Sequence, residues 1–428
     1  MRCVFLFAIC TAAFVVAAPA RAKSPLGEAV RDIDPASHWI YDDWSQAVAE
    51  AKQTGKPILV VVRCVPCPPG KTLDMAVMQP DKSLEELEKK FVCVRLIQTN
   101  SLDLSLFQYD FDMSWSAMFM NADRTTYGRY GSRDASGPNS DGLLSVAAFR
   151  KAAERALKLH GEYPANKSQL AAKTGAKPQY ATPREIPGLT DRPPAATVRQ
   201  ECIHCHMVKE YALRAKWEAG TLSTADLYVF PQPANLGLTM DVDDGLVVKS
   251  VTAGSAAAEA GIAAGDELVS VSRQPLISLA DIQWAFNGAP SEGNLTVTLR
   301  RDGQLHEKSL PLRTGWKKSD IAWRASSWYG LRHGLKVEPL ASDAKTSRGI
   351  YMENLALEVK NLFGKNAAPL QEAGVKTDDV IVAVDGRTQD LTESDFLINL
   401  RLTHGPKDKV KFTILRGSER MELTVPMW

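Results

Sequence analysis

The sequence is short of cysteine, with seven in 428 residues, and short of net charge, with 51 Lys and Arg against 50 Asp and Glu. The first shortage excludes a disulfide-dense secreted scaffold. The second excludes a basic nucleic-acid binder and a surface drawn to anionic membrane, since both need a cationic face. After residue 22 no apolar run approaches the roughly 20 residues that a spanning helix needs, so no transmembrane segment is expected in the mature chain. What is present is a chain with 45% hydrophobic residues, enough for about two to four cored domains. Four of its cysteines stand in two Cys-x-x-Cys pairs, and that spacing calls for a chemical reading.

Residues 1–22 read as a secretory signal: Arg2 supplies the positive start, Val4 to Ala18 the apolar stretch, and Ala20-Arg21-Ala22 a small-x-small cleavage site. Cleavage after Ala22 would remove Cys3 and Cys10 and deliver the chain to a periplasmic or secreted location, where paired thiols can oxidise.

A stretch over 161–200, carrying Pro164, Pro178, Pro183, Pro187, Pro193 and Pro194, reads as a semi-rigid linker. Upstream, over 23–160, helical and strand patterns alternate. Trp44, Ala47, Val48 and Ala51 recur at helical spacing after Asp42 and Asp43, and Pro57 to Val62 is a buried-strand run. Ser83 to Glu86 predicts a capping box, Phe91 to Ile97 a strand containing Cys93, and Leu143 to Leu157 an amphipathic helix. This alternation predicts an α/β layer fold. Downstream lies an internal repeat: Gly245 to Val251 and Ala257 to Val271 recur as Gly349 to Leu355 and Leu370 to Val384, each followed by a helix and a hairpin. Two small, mainly-β domains are expected, over 231–315 and 316–428.

The repeat resembles the PDZ domain of bacterial envelope proteins through Ala260-Gly261-Ile262 with Gly265-Asp266, and Ala373-Gly374-Val375 with Asp378-Asp379. The resemblance implies that each domain accepts a peptide C-terminus at a sheet edge, its carboxylate held by a Gly-centred loop. Leu236, Gly237 and Leu238 match that loop in the first copy, and Gly334 and Leu335, after His333, in the second. Grooves filled by the chain itself are the competing reading. No Ser/His/Asp arrangement accompanies the repeats, which leaves little for a protease.

Cys64-Val65-Pro66-Cys67 directly follows the apolar strand, and the segment from Trp39 to about His160 resembles the exported branches of the thioredoxin family. The resemblance implies thiol–disulfide exchange with client proteins, Cys64 being the exposed thiolate, aided by backbone N–H groups and Arg63, and Cys67 the resolving thiol. Pro68-Pro69-Gly70 delays the helix that would normally begin there. A structural disulfide or a metal site is the alternative use of this pair. Cys93 reads as a buried hydrophobe.

The second pair, Cys202-Ile203-His204-Cys205-His206, has the Cys-x-x-Cys-His spacing of c-type haem attachment. Two thiols would bond one porphyrin while His206 ligates its iron, in a segment over 201–230 that could exchange electrons with a partner. A disulfide, or a zinc site using His204 and His206 with the thiols, competes with it. Taken together, the segments resemble the Trx7/PDZ domain-containing (seleno)proteins, in some of which a redox cysteine is selenocysteine, implying that the first pair works chemically. The expectation is thus a multidomain α/β plus mainly-β chain, a thioredoxin-like βαβ domain followed by two PDZ-like domains, acting as an exported modular redox protein. A non-catalytic PDZ scaffold is the alternative.

Overall fold

A computed structural model describes residues 23–133, 142–190, 202–321, 323–330, 334–364 and 367–427. The expected signal and the last part of the Pro-rich stretch lie outside the described residues. The first domain comprises β1 (Trp39–Tyr41), α1 (Trp44–Thr54), β2 (Ile58–Arg63), α2 (Lys71–Met78), α3 (Lys82–Glu88), β3 (Val92–Leu96), β4 (Trp115–Met120), β5 (Thr126–Tyr130) and α4 (Val146–Gly161). Its sheet order is β1-β3-β2-β4-β5. The first three strands run parallel, while β4 and β5 form an antiparallel hairpin on the edge.

The run Ile58 to Val62 is apolar at every position because β2 lies mid-sheet with both faces covered. Leu59 and Val61 face Phe149, Ala152 and Ala156 of α4. Ile58, Val60 and Val62 face Ala47 and Ala51 of α1. Each such side chain, fully buried, contributes about 1.5–3 kcal/mol of transfer free energy. Asp43 caps α1, its carboxylate accepting from Gln46 N–H. The helix expected at Ser83 starts slightly earlier, because the Asp81 carboxylate takes Leu84 N–H and fixes the first turn.

The Pro-rich stretch is packed along its described part, 161–190. Leu170 enters the core under α4, and Ile186 and Leu189 are buried against Ile203, Met207 and Val208. Proline removes backbone donors, so side-chain burial rather than a hydrogen-bonded ladder holds this segment. It leads towards α5 (Cys205–Glu218), which starts at the second cysteine pair.

The first repeat folds as β6 (Leu238–Met240), β7 (Val248–Val251), β8 (Glu267–Val271), β9 (Gln274–Pro275), α6 (Leu279–Gly288), β10 (Gly293–Arg301) and β11 (Gln304–Leu312). The second contains β12 (Leu335–Pro339), β13 (Leu357–Leu362), β14 (Val380–Val384), α7 (Glu393–Thr403), β15 (Lys409–Arg416) and β16 (Glu419–Pro426), its sheet running β12-β13-β14-β15-β16. Asp378, standing where the first copy has Gly265, adopts the same left-handed turn, φ 68° against 90°. Aspartate tolerates that region better than most side chains.

The first repeat docks on the thioredoxin-like sheet. Asp281 of α6 is buried, accepts from the backbone N–H of Arg129 at 3.1 Å, and pairs with Lys173 Nζ at 2.5 Å. Gly128 permits this approach, since a Cβ there would stand 2.4 Å from Ile277 and 2.5 Å from Asp281.

Candidate functional site

Arg63 closes β2 and shapes the loop that carries the first cysteine pair. Its guanidinium donates to Pro69 O at 2.8 Å, Ser114 O at 2.9 Å and Cys67 O at 2.9 Å, and pairs with Asp74 at 3.2 Å. It therefore braces carbonyls and does not face the thiols, contrary to the expected electrostatic role. Cys64 N–H donates to Ser114 O at 2.8 Å, and Cys67 N–H to Cys64 O at 3.0 Å. Helix α2 begins only at Lys71, after Pro68-Pro69-Gly70, so the pair stands ahead of the helix rather than on its first turn.

The second pair arrives on top of the first. Thr99 donates to Ile203 O, and Ile203 N–H donates to Asn100 Oδ1 at 2.9 Å, which pins 202–204 to the loop after β3. Farther along α5, Lys209 pairs with the buried Asp112 at 3.1 Å, and Asp112 also holds Arg324 and both polar groups of Ser326. These anchors place His204 Nδ1 3.2 Å from Cys64 Sγ and 3.6 Å from Cys67 Sγ, the two sulfurs being 2.7 Å apart. Cys205 shares a hydrogen bond with Cys64 and accepts another from Tyr109 Oη at 3.6 Å. His206 bonds Cys67 and stands 3.8 Å from Glu210. Cys64, Cys67 and His204 thus lie within 4.8 Å of one another, with Cys205 bonded to Cys64 and His206 to Cys67.

Their protonation follows from that contact. Cys205 and Cys67, accepting from it, and burial push the Cys64 thiol well up. The Cys64 thiol in turn holds Cys67 down to about 3, against burial and with both histidines assisting. Cys205 is held down by the same donor, against burial, with help from Tyr109. Burial lowers the His206 imidazole, but Cys67 and Glu210 together raise it further. Against the expectation of an exposed Cys64, that side chain is 5% exposed and Cys67 is half-buried, with the Cys67 thiol the one held down.

A porphyrin does not fit the second pair as it is folded. Cys205 faces Cys64 and Tyr109, and Cys202 sits among Leu26, Val30, Tyr41 and Ile97. The cavity beside Cys202, lined also by Cys64, Val65 and His204, has about 10 Å³, room for about one water. Met240, a possible sixth ligand from sequence, is buried in the first repeat's core, and Met352 lies exposed on the second.

Of the expected peptide loops, Leu236 and Leu238 are buried around Gly237, whose φ of 87° turns the chain into β6. Gly334, at φ 92°, leads likewise into the buried Leu335 and β12, while His333 lies outside the described residues. Strand β12 is the edge of its sheet, yet Val337 N–H donates to Glu393 Oε1 at 3.3 Å. Leu213 and Trp217 of α5, with Leu227 and Ile321, join the core around β12 and α7. This part of the second groove is occupied by the chain itself.

Family comparison finds a thioredoxin-like domain over 39–122 and PDZ domains over 234–312 and 349–427. Curated relatives include a probable serine protease do-like of Buchnera aphidicola subsp. Acyrthosiphon pisum (strain APS), 23% identical over 228 residues, covering 52% of this chain and 43% of the relative. Others are the periplasmic serine endoprotease DegP of Escherichia coli (strain K12), 27% identical over 148 residues (35% of this chain, 28% of DegP), and the periplasmic pH-dependent serine endoprotease DegQ of the same strain, 26% identical over 191 residues (45% and 37%). The chain spans less than half the length of these relatives. Among solved structures, an HtrA-type protease AlgW with decapeptide is 17% identical with a TM-score of 0.19, covering 31% of this chain and 40% of that one. AlgW with tripeptide is 16% identical at 0.18, covering 32% and 52%.

The chain is therefore a multidomain protein in which a thioredoxin-like domain precedes two PDZ domains. That domain order matches the one expected from the resemblance to the Trx7/PDZ domain-containing (seleno)proteins. Among the described residues no helix is long and apolar enough to cross a membrane.

The sequence marks the four cysteines of the two pairs and both histidines, but as two separate centres. Tyr109, Thr99, Asn100 and Glu210 were missed, since nothing in their local pattern marks them. The shared Cys/His chemistry of the two motifs was the available clue.

Proposed function

We propose that this chain is an exported thiol–disulfide exchange protein of the periplasm whose PDZ domains dock polypeptide termini. The observation that carries the reading is the Cys64–Cys67 pair at the end of β2, 2.7 Å between sulfurs, with Cys67 held as thiolate. Cys67 would attack a client disulfide, forming a mixed disulfide and releasing one client thiolate. Cys64, losing its proton to that thiolate or to solvent, would then attack Cys67 Sγ. The products are the Cys64–Cys67 disulfide and a fully reduced client, two electrons having passed to the client. For a client to reach Cys67, residues 202–206 must move aside. Insulin reduction by the metal-free mature chain tests this: wild type should turn over with dithiothreitol, and Cys67→Ser should not. Equal rates would remove the catalytic claim.

The covering of the dithiol by His204 favours a second reading, a PDZ interaction protein in which the cysteine pairs are structural or metal-binding. Covalent haem forms no part of either reading, for want of space beside Cys202 and Cys205. An array of peptides with free and amidated C-termini tests docking, and the absence of a carboxylate preference would count against it.

A further inference from the structure

Cys64, Cys67 and His204 offer two sulfurs and one nitrogen within 4.8 Å of one another, drawn from segments about 140 residues apart. Cys205 bonds to Cys64, and His206 to Cys67. We propose that the two cysteine motifs together form one composite site for a thiophilic d10 ion, zinc(II) or copper(I), with Cys64, Cys67 and His204 as its primary ligands and the fourth position taken from Cys205 or His206. This proposal does not depend on thiol exchange.

Donor chemistry selects the ion class. Thiolate and imidazole together suit zinc and copper(I), whereas magnesium, calcium and manganese require oxygen donors. Distances agree. In a tetrahedral shell with metal–sulfur near 2.3 Å and metal–nitrogen near 2.0–2.1 Å, sulfur and nitrogen stand about 3.6 Å apart and two sulfurs about 3.8 Å. The His204 separation from Cys67, 3.6 Å, already matches, and that from Cys64, 3.2 Å, needs to lengthen slightly. The sulfurs, at 2.7 Å, need to open by about 1 Å, which side-chain rotation supplies.

The surroundings also have the form of a supported metal centre. Glu210 beside His206 and Tyr109 on Cys205 are outer partners of the kind that orient ligands, while Arg63 braces the loop between Cys64 and Cys67. A bound ion would occupy the sulfur lone pairs that thiol exchange needs. Metal-loaded and disulfide-forming states would therefore exclude one another, and the ion would tie α5 to the thioredoxin-like sheet.

The test uses the full mature chain, reduced anaerobically and stripped of metal, titrated with Zn2+ against a chromophoric chelator and with Cu+ against a copper(I) chelator. Co2+ provides a spectroscopic stand-in for zinc. Wild type should bind one ion per chain, and the cobalt form should show thiolate charge-transfer and tetrahedral bands. Cys67→Ser and His204→Ala should each lose at least about tenfold in affinity, and Glu210→Gln about tenfold. Cys202→Ser, outside the ligand set but in the same segment, should bind as wild type does. Circular dichroism on each variant separates ligand loss from misfolding. Absence of binding to reduced wild type would overturn the proposal, as would Cys67→Ser binding like wild type while Cys202→Ser fails, which would place the ion on the second motif alone. Metal binding by a chain inert towards insulin would sink the exchange reading and leave this one standing.

Discussion

Arg63 shows how one side chain sets the chemistry of a loop. Its guanidinium gathers three carbonyls and Asp74. Arg63→Met would remove a donor from each of those carbonyls while Asp74 keeps Arg95 and the Trp115 indole, a loss of about 1–3 kcal/mol in urea unfolding, with Arg63→Lys intermediate because ammonium lacks the planar fork. Cys67 gives a second expectation at this scale. With its folded value near 3, its alkylation by iodoacetamide should stay nearly flat from about pH 8 down to about pH 5, whereas an ordinary thiol slows about tenfold per unit. A slope of one across that range would overturn the assignment of the thiolate.

At the scale of elements, α5 is held where it is by Asp112. Burial opposes ionisation of Asp112, but Lys209, Arg324 and Ser326 keep its carboxyl below the usual carboxylate range. Its folded value thus lies below its unfolded one, near 3.9. The stabilisation is complete at neutral pH and is lost as pH falls from about 4 through the folded value. Asp112→Asn should lower Tm at pH 7 and flatten the acid limb of a Tm–pH curve. It should also speed Cys67 alkylation, because α5 carries the residues that cover the dithiol. Leu189, fully buried beneath the start of α5, makes a separate contribution. Leu189→Ala should cost about 2–5 kcal/mol and expose 161–190 to limited proteolysis.

The proline count of that segment suggested a semi-rigid linker, and its described residues hold only short helical turns. The pattern hid that Leu170, Ile186 and Leu189 are spaced to reach two different cores. In the first domain β2, β3, α1, α3 and α4 were legible, because a mid-sheet strand must be apolar on both faces and a capped helix must show its cap. The short edge strand β1 and helix α2, which has no side-chain cap, were not.

Across the whole molecule, the first PDZ domain is fastened to the thioredoxin-like sheet by Asp281, Lys173 and Arg129. Asp281→Ala should undock it, leaving both domains folded but splitting one calorimetric transition into two; a single unshifted transition would deny the coupling. The two PDZ domains should also differ. In the second, Glu393 takes a donor of the edge strand and Trp217 packs into the adjoining core, so carboxylate-dependent peptide binding is expected chiefly at the first. Gly237→Val, whose Cβ would meet Ser255 Oγ at 2.1 Å, should abolish it in a peptide titration.

By itself the sequence determined the domain kinds, because hydrophobic period, turn residues and the internal repeat are local properties that a reader can follow along the chain. It also determined which side chains could do chemistry, since thiols and imidazoles in a cysteine-poor chain are conspicuous. Only the tertiary structure decided that both Cys-x-x-Cys motifs lie against one another, and that Cys202 and Cys205 as folded leave no room for a porphyrin. Each of these depends on contacts between residues about 140 positions apart, and no local pattern encodes which distant surfaces will bury one another.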